Sequence, residues 1–243
     1  AVVEGMALAL HRWADLKNDK SSLPKLTNVT LVASSETAAV TAGMNAGIAT
    51  AGAVCRARDF ANTPPSHLTA RAFAERAVAI AEESGLTSTV YDKDQLKAMG
   101  CGGLVGVNAG SVEPPRMVKL EYKPANAKSH VVLVSKGVMY DSGGISLKPP
   151  AGMEDMKWDM GGAGAVVGPG AFQQRDGLGH GPTLSCGLAA DHVLHQGHFR
   201  FTQFTAVLTR LCISLQQQGL MDLIRVEVLH GPTPSARPRA ERR

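Results

Sequence analysis

Residues 136–162 hold the densest group of reactive side chains in the sequence. The segment reads Lys136-Gly-Val-Met-Tyr-Asp141-Ser-Gly-Gly-Ile-Ser-Leu-Lys148, then Met153-Glu-Asp-Met156-Lys-Trp-Asp159-Met-Gly-Gly162. The carboxylates of Asp141 and Asp159 are oxygen ligands suited to a divalent cation such as Zn²⁺ or Mn²⁺. A lysine beside a bound cation is electrostatically strained, so its pKa falls. Once neutral its amine is itself a ligand, so Lys136 could bind metal directly. A second lysine that keeps its charge, Lys148, could polarise a carbonyl as it becomes an oxyanion. Gly143 and Gly144 allow the sharp backbone reversal that would bring these groups together. Read one residue at a time, the same stretch is also a glycine-rich turn carrying surface salt bridges.

The elements that would position this segment follow from periodicity and punctuation. Residues 2–17 read as a helix and 18–24 as a polar break. The short apolar run at 29–33, flanked by Thr and Ser, reads as a strand. Alanine-rich residues 36–58 favour helix despite three glycines. Asn62-Thr63-Pro64-Pro65 must turn, because each proline bars helix at the residue before it. Thr69 is placed to cap a helix running to about residue 84, with Phe73, Ala77, Ile80 and Ala81 on its apolar face. Gly85 ends that helix. Strands are expected at 89–91, 117–122 and 131–134, and a short helix at 94–99. The apolar run 131–134 is uninterrupted, as in a strand buried on both faces. It ends just before Lys136, and in open α/β sheets ligand sites lie beyond the carboxyl ends of strands. Alternating strands and helices indicate an α/β fold.

Length and composition exclude several classes. A chain of 243 residues, 44% hydrophobic and 19% charged, can bury a core and is not disordered throughout. The four cysteines, at 55, 101, 186 and 212, include no Cys-x-x-Cys pair, which argues against a disulfide scaffold or zinc ribbon and suits the cytoplasm. No uninterrupted apolar run approaches the roughly 20 residues of a membrane helix, so no membrane partner is expected. The start lacks a basic region and an initiator Met, so no signal peptide is expected and the chain reads as a fragment. A net charge of +4 is only mildly basic, with no basic patch carrying base-reading residues, so nucleic acid is not an expected partner.

Three words in the reactive segment, Val134-Ser-Lys-Gly-Val, Asp141-Ser-Gly-Gly-Ile-Ser-Leu-Lys-Pro and Asp159-Met-Gly-Gly-Ala, resemble the signature of the leucyl aminopeptidase family of dinuclear metallopeptidases. Upstream, Val2-Val3-Glu4-Gly5 resembles the helix joining that family's two domains. Asn62-Thr63-Pro64-Pro65 with Leu68-Thr69 resembles the start of its catalytic domain, and Gly110-Ser111 with Pro114-Pro115-Arg116 a further family segment. The resemblance covers residues 1 to about 167. It implies a three-layer α/β/α catalytic domain with a mixed sheet, present in part: 1–24 as linker helix, 25–167 as the first half of the domain, and 168–243 as an unmatched, irregular tail.

The resemblance also implies roles. Lys136 looks like the lysine ligating the tighter of two metals, Asp141 like the aspartate bridging both, and Asp159 like a further ligand of the tighter one. Lys148 looks like the catalytic lysine, and Met156 like a residue lining the pocket for the substrate's first side chain. The implied activity is metal-dependent release of leucine-like amino-terminal residues from peptides, with Mn or Zn as metal and a cytoplasmic homo-oligomer, a hexamer in the family.

The sequence departs from the pattern in two places. It begins at the linker helix, without the family's amino-terminal domain. It also lacks Asn-Thr-Asp-Ala-Glu-Gly-Arg, which in the family supplies an Asp ligand, a bridging Glu and an arginine that holds bicarbonate. Asp222, Arg225 and Glu227 lie at about the right distance but in the wrong order. At most one metal is therefore expected here, with poor or no turnover. The alternative is a non-catalytic metal-binding remnant that assembles with or binds other macromolecules. Lysine vanishes after residue 168 (11 before it, none after), as if a truncated gene ran into an unrelated reading frame. His192, His195 and His198 sit three apart; on a helix His192 and His195 would share a face and could bind metal, although Gly197 opposes helix there. Gly162-Ala-Gly164-Ala-Val-Val-Gly168 is spaced for close helix packing rather than for a dinucleotide. Cys101, between two glycines, reads as a small buried residue.

Overall fold

The computed structural model describes residues 1–21, 23–34, 38–123, 130–170 and 183–188. Helix α1, Val2–Leu10, is shorter than its apolar pattern suggests: His11 turns to extended backbone (ψ 130°) and the chain leaves the helix. Residues 29–33 form no strand. Their apolar side chains face outward, with Val32 94% exposed, because no neighbouring strand pairs with them among the described residues. Short apolar content is not enough to make a strand without a partner to complete its hydrogen bonds.

Helix α2, Ala38–Asn62, runs to the turn enforced by Pro64 and Pro65. By length and composition it is apolar enough to cross a membrane. Its buried side, including Gly47, Ala51, Val54, Ala57 and Phe60, packs instead on α1 and on α6, Gly161–Gly170. Gly164 and Gly168 explain how closely α2 and α6 approach. A Cβ on Gly164 would lie 3.4 Å from Phe60 Cβ, and one on Gly168 would lie 2.6 Å from the Ala53 carbonyl oxygen. The glycine spacing thus serves packing. Gly168→Ala should force the helices apart and lower stability by about 1–3 kcal/mol, the usual penalty for overpacking. Urea unfolding checks this; an unchanged midpoint would mean that the α2–α6 contact is looser than described.

Thr69 caps α3, Ala70–Glu83, its hydroxyl accepting from the Ala72 amide at 3.2 Å. Gly85, at φ +63°, lets the chain reverse out of that helix into strand β1, Thr87–Tyr91. Asp92 and Gln95 form a reciprocal capping box on α4, Lys93–Ala98. Helix α5, Gly102–Val107, escapes the sequence pattern because three of its six residues are glycine. Cys101 precedes it and is half-buried rather than buried.

Strands β2, Met117–Tyr122, β3, His130–Ser135, and β4, Thr183–Leu188, complete a four-stranded mixed sheet in the order β1-β2-β4-β3. The β1–β2 and β2–β4 pairs are antiparallel; β3–β4 is parallel, with Leu133 opposite Cys186. β4 falls in a stretch whose sequence offers no clear periodicity, yet it pairs centrally. Val118, Leu120 and Leu133 pack against Phe73, Ala77 and Ile80 of α3 and Ala163, Val166 and Val167 of α6. Full burial of Leu133, Met160 and Leu68 contributes roughly 1.5–3 kcal/mol each. The continuous apolar run of β3 is not buried on both faces. Leu133 is 1% exposed but its neighbour Val134 is 42% exposed, since the helices described cover the Leu133 side.

Candidate metal and catalytic site

Leu133 anchors β3 in the core, so the chain leaves the sheet at Ser135 in a fixed place and Lys136 follows at once. The Lys136 carbonyl accepts from the Ala163 amide at 2.9 Å, tying the strand end to the start of α6. Asp159 stands between the 3₁₀ turn Met153–Trp158 and α6. Lys136 Nζ reaches across to Asp159 Oδ1 at 2.6 Å. Both side chains are largely shielded, 34% and 17% exposed.

A second ion pair stands in the same loop system. Lys148 Nζ lies 2.9 Å from Asp141 Oδ2 and donates to Met156 Sδ at 2.9 Å. The turn between them closes through the Lys148 amide, which donates to the Ser142 carbonyl at 2.9 Å. Gly143, at φ +90°, donates its amide to Asp141 Oδ1 at 2.9 Å. The hydrogen bond from Lys148, then that from Gly143, hold the Asp141 carboxyl below the usual carboxylate range, and the positive charge of Lys136 acts in the same direction. All five residues singled out in the sequence therefore meet in two groups: the pair Lys136 and Asp159, and the trio Asp141, Lys148 and Met156. The contribution of the Gly143 amide was not legible beforehand, since it depends on the turn's geometry.

One atom stands out. Asp159 Oδ2 is buried and has no hydrogen-bond partner. A buried carboxylate oxygen without a partner carries a desolvation penalty of a few kcal/mol. A cation at that oxygen would remove it. The donor set of two carboxylates and one lysine amine fits a single divalent ion that accepts oxygen and nitrogen ligands. Among the described residues no three His, Cys, Asp or Glu side chains converge. The candidates Asp222, Arg225, Glu227, His192, His195 and His198 lie outside the described residues.

Residues 55–178 match the model of the cytosol aminopeptidase family, catalytic domain. The chain belongs to the cytosol aminopeptidase family. It is 43% identical over 185 residues to a probable cytosol aminopeptidase of Rhodococcus erythropolis, covering 73% of this chain and 36% of that protein. With a probable cytosol aminopeptidase of Mycobacterium tuberculosis the identity is 44% over 177 residues, 69% of this chain and 34% of the relative. The chain thus spans about a third of the length of these curated relatives.

Among solved structures it is similar to bottromycin maturation enzyme BotP in complex with Mn, with a TM-score of 0.65 and 39% identity, over 78% of this chain and 39% of that one. Leucine aminopeptidase of Caenorhabditis elegans gives a TM-score of 0.64 at 26% identity, over 77% of this chain and 37% of the other. The α/β architecture with its mixed sheet is that of the leucine aminopeptidase catalytic domain. The family match ends at residue 178, just short of β4.

Proposed function

We propose that this chain carries the metal-binding half of an aminopeptidase site and acts, weakly in this 243-residue form, in the release of leucine-like amino-terminal residues from peptides. The observation that carries the reading is the pair of adjacent Lys–Asp contacts at the carboxyl end of β3, with Asp159 Oδ2 buried and unpartnered. Asp159, Asp141 and Lys136 are the residues that would hold a divalent cation, and the Mn in the BotP complex makes Mn²⁺ the first ion to try. A bound divalent cation supplies Lewis-acid polarisation of a peptide carbonyl and a more acidic water.

The remaining roles belong to the chain's own groups. Asp141 is fixed by the Gly143 amide, so its second oxygen can be shared without the loop moving. Lys148, aimed by Asp141 and by the Met156 sulfur, can donate to a carbonyl oxygen as negative charge develops on it. Met156, half-buried beside Lys148, offers a polarisable apolar surface for a leucine-like side chain. Homo-oligomeric assembly and residence in the cytoplasm complete the proposal; the relatives' name, cytosol aminopeptidase, supports the second.

A second reading, a metal-binding chain without turnover, is favoured by the donor count, two carboxylates and one amine among the described residues. Hydrolysis of a leucyl chromogenic amide separates the two. With Mn²⁺ added, the purified chain should release chromophore slowly but above an Asp141→Ala control. A rate equal to that control contradicts the enzymatic reading and leaves the binding one.

A further inference from the structure

Gly137 follows Lys136 just beyond the end of β3. Its φ lies outside the left-handed region, so backbone conformation does not demand glycine there. Space does. A Cβ on Gly137 would lie 3.3 Å from the Cβ of Ala163 and 3.9 Å from Cε of Met139. Carbon atoms in ordinary contact sit roughly 3.5–4.0 Å apart. Ala163 is fully buried, and its amide donates to the Lys136 carbonyl at 2.9 Å. The close approach of Gly137 to Ala163 and that hydrogen bond form one junction between the strand end and α6.

The two sides of this junction do not yield equally. Helix α6 is held from behind, since it lies so close to α2 that Gly168 has no room for a Cβ beside the Ala53 carbonyl. Its residues Ala163, Ala165 and Val167 are fully buried. The loop after β3 borders open space instead. Gly137, Val138, Met139 and Tyr140 form one wall of a cavity of about 290 Å³. A side chain added at position 137 therefore displaces the loop, and Lys136 with it, rather than the helix. Asp159 stays with α6, which begins two residues later. The distance that changes is the 2.6 Å between Lys136 Nζ and Asp159 Oδ1.

We propose that Gly137 is a positioning residue of the metal site. By meeting Ala163 with no side chain between them, it sets Lys136 against Asp159 so that both can serve one cation. It touches neither the cation nor a substrate. The inference rests on the reading of Lys136 and Asp159 as metal ligands, and its test tells the failure of one from the failure of the other.

Mn²⁺ titration of the unchanged chain, of Gly137→Ala, and of Gly137→Ala combined with Ala163→Gly decides it. Gly137→Ala should bind Mn²⁺ about tenfold more weakly, the lower end of what residues that orient metal ligands contribute. Removing the Ala163 methyl reopens the gap, so the double variant should regain most of that loss. A role in stability alone predicts the opposite for the second change, because glycine in a helix destabilises. Gly137→Ala binding as tightly as the unchanged chain would overturn the proposal, and so would a double variant no better than the single one. Either result leaves the ligand reading standing, whereas no uptake of Mn²⁺ by the unchanged chain overturns both. If Gly137→Ala fails to fold, Ala163→Ser fills the same gap from the helix side and should weaken Mn²⁺ binding alike. Unchanged affinity in that variant would overturn the proposal.

Discussion

Asp159→Ala should abolish the stabilisation that Mn²⁺ confers on this chain. A ligand that binds only the folded state raises stability by RT ln(1 + [L]/Kd), about 2.7 kcal/mol at a hundredfold excess over Kd. The unchanged chain should show a gain of that order. In the variant one carboxylate leaves a set of three donors, and Lys136 loses the contact that holds its amine at 2.6 Å. Affinity should fall about a hundredfold or more, since even residues that only orient metal ligands change it by 10–100-fold. Without metal the variant should melt below the unchanged chain, because Lys136 is left without its ion-pair partner in a largely shielded place. Thermal melts with and without Mn²⁺ read both effects. Equal metal-induced shifts in the two proteins would show that Asp159 is no ligand.

Gly143→Ala should cost about 3 kcal/mol of stability, while Gly144→Ala costs about 1 kcal/mol. Both glycines have positive φ, +90° and +67°. They differ in surroundings. A Cβ on Gly143 would overlap the Ser146 carbonyl oxygen and lie 3.0 Å from the Lys148 amide nitrogen, whereas nothing lies within 4 Å of one on Gly144. The first change therefore adds overpacking to conformational strain, and the second adds strain alone. Because the Gly143 amide holds Asp141 and the adjoining Ser142 carbonyl holds the Lys148 amide, the first should also weaken Mn²⁺ binding. Urea unfolding of the two variants side by side is the check; equal losses would mean that the turn is freer than its hydrogen bonds indicate.

The contrast between these two glycines bears on what a sequence discloses. That a Gly-Gly pair between Asp141 and Lys148 permits a reversal is legible from residue type. Which glycine is indispensable depends on the Ser146 carbonyl, and no spacing rule supplies that. The caps show the same division. Thr69 and Gly85 act locally, through a side chain and a positive φ, and local chemistry is what a sequence states most directly. The run at 29–33 has the apolar content of a strand but lacks a partner among the described residues. β4 has its partners, β2 and β3, although its own residues show no clear alternation. Strand formation is decided by what lies alongside, so it reads poorly from one segment.

The site divides in the same way. Lys136, Asp141, Lys148 and Asp159 were identifiable because metal and oxyanion chemistry demands particular residue types, and Met156 through the family resemblance; the structure brings Lys136 to Asp159, and Lys148 to Asp141 and Met156. The pairing itself, Lys136 with Asp159 across 23 residues, needed β3 and α6 to set the strand end against the helix start.

Counting the Mn²⁺ ions bound by the unchanged chain tests the central claim most directly. Electron paramagnetic resonance of free Mn²⁺ during a titration gives the number of sites, and the same titration on Lys136→Gln and Asp141→Ala assigns them. The account predicts one site per chain, weakened by either substitution. No saturable binding, or a site indifferent to Lys136, Asp141 and Asp159, would contradict it.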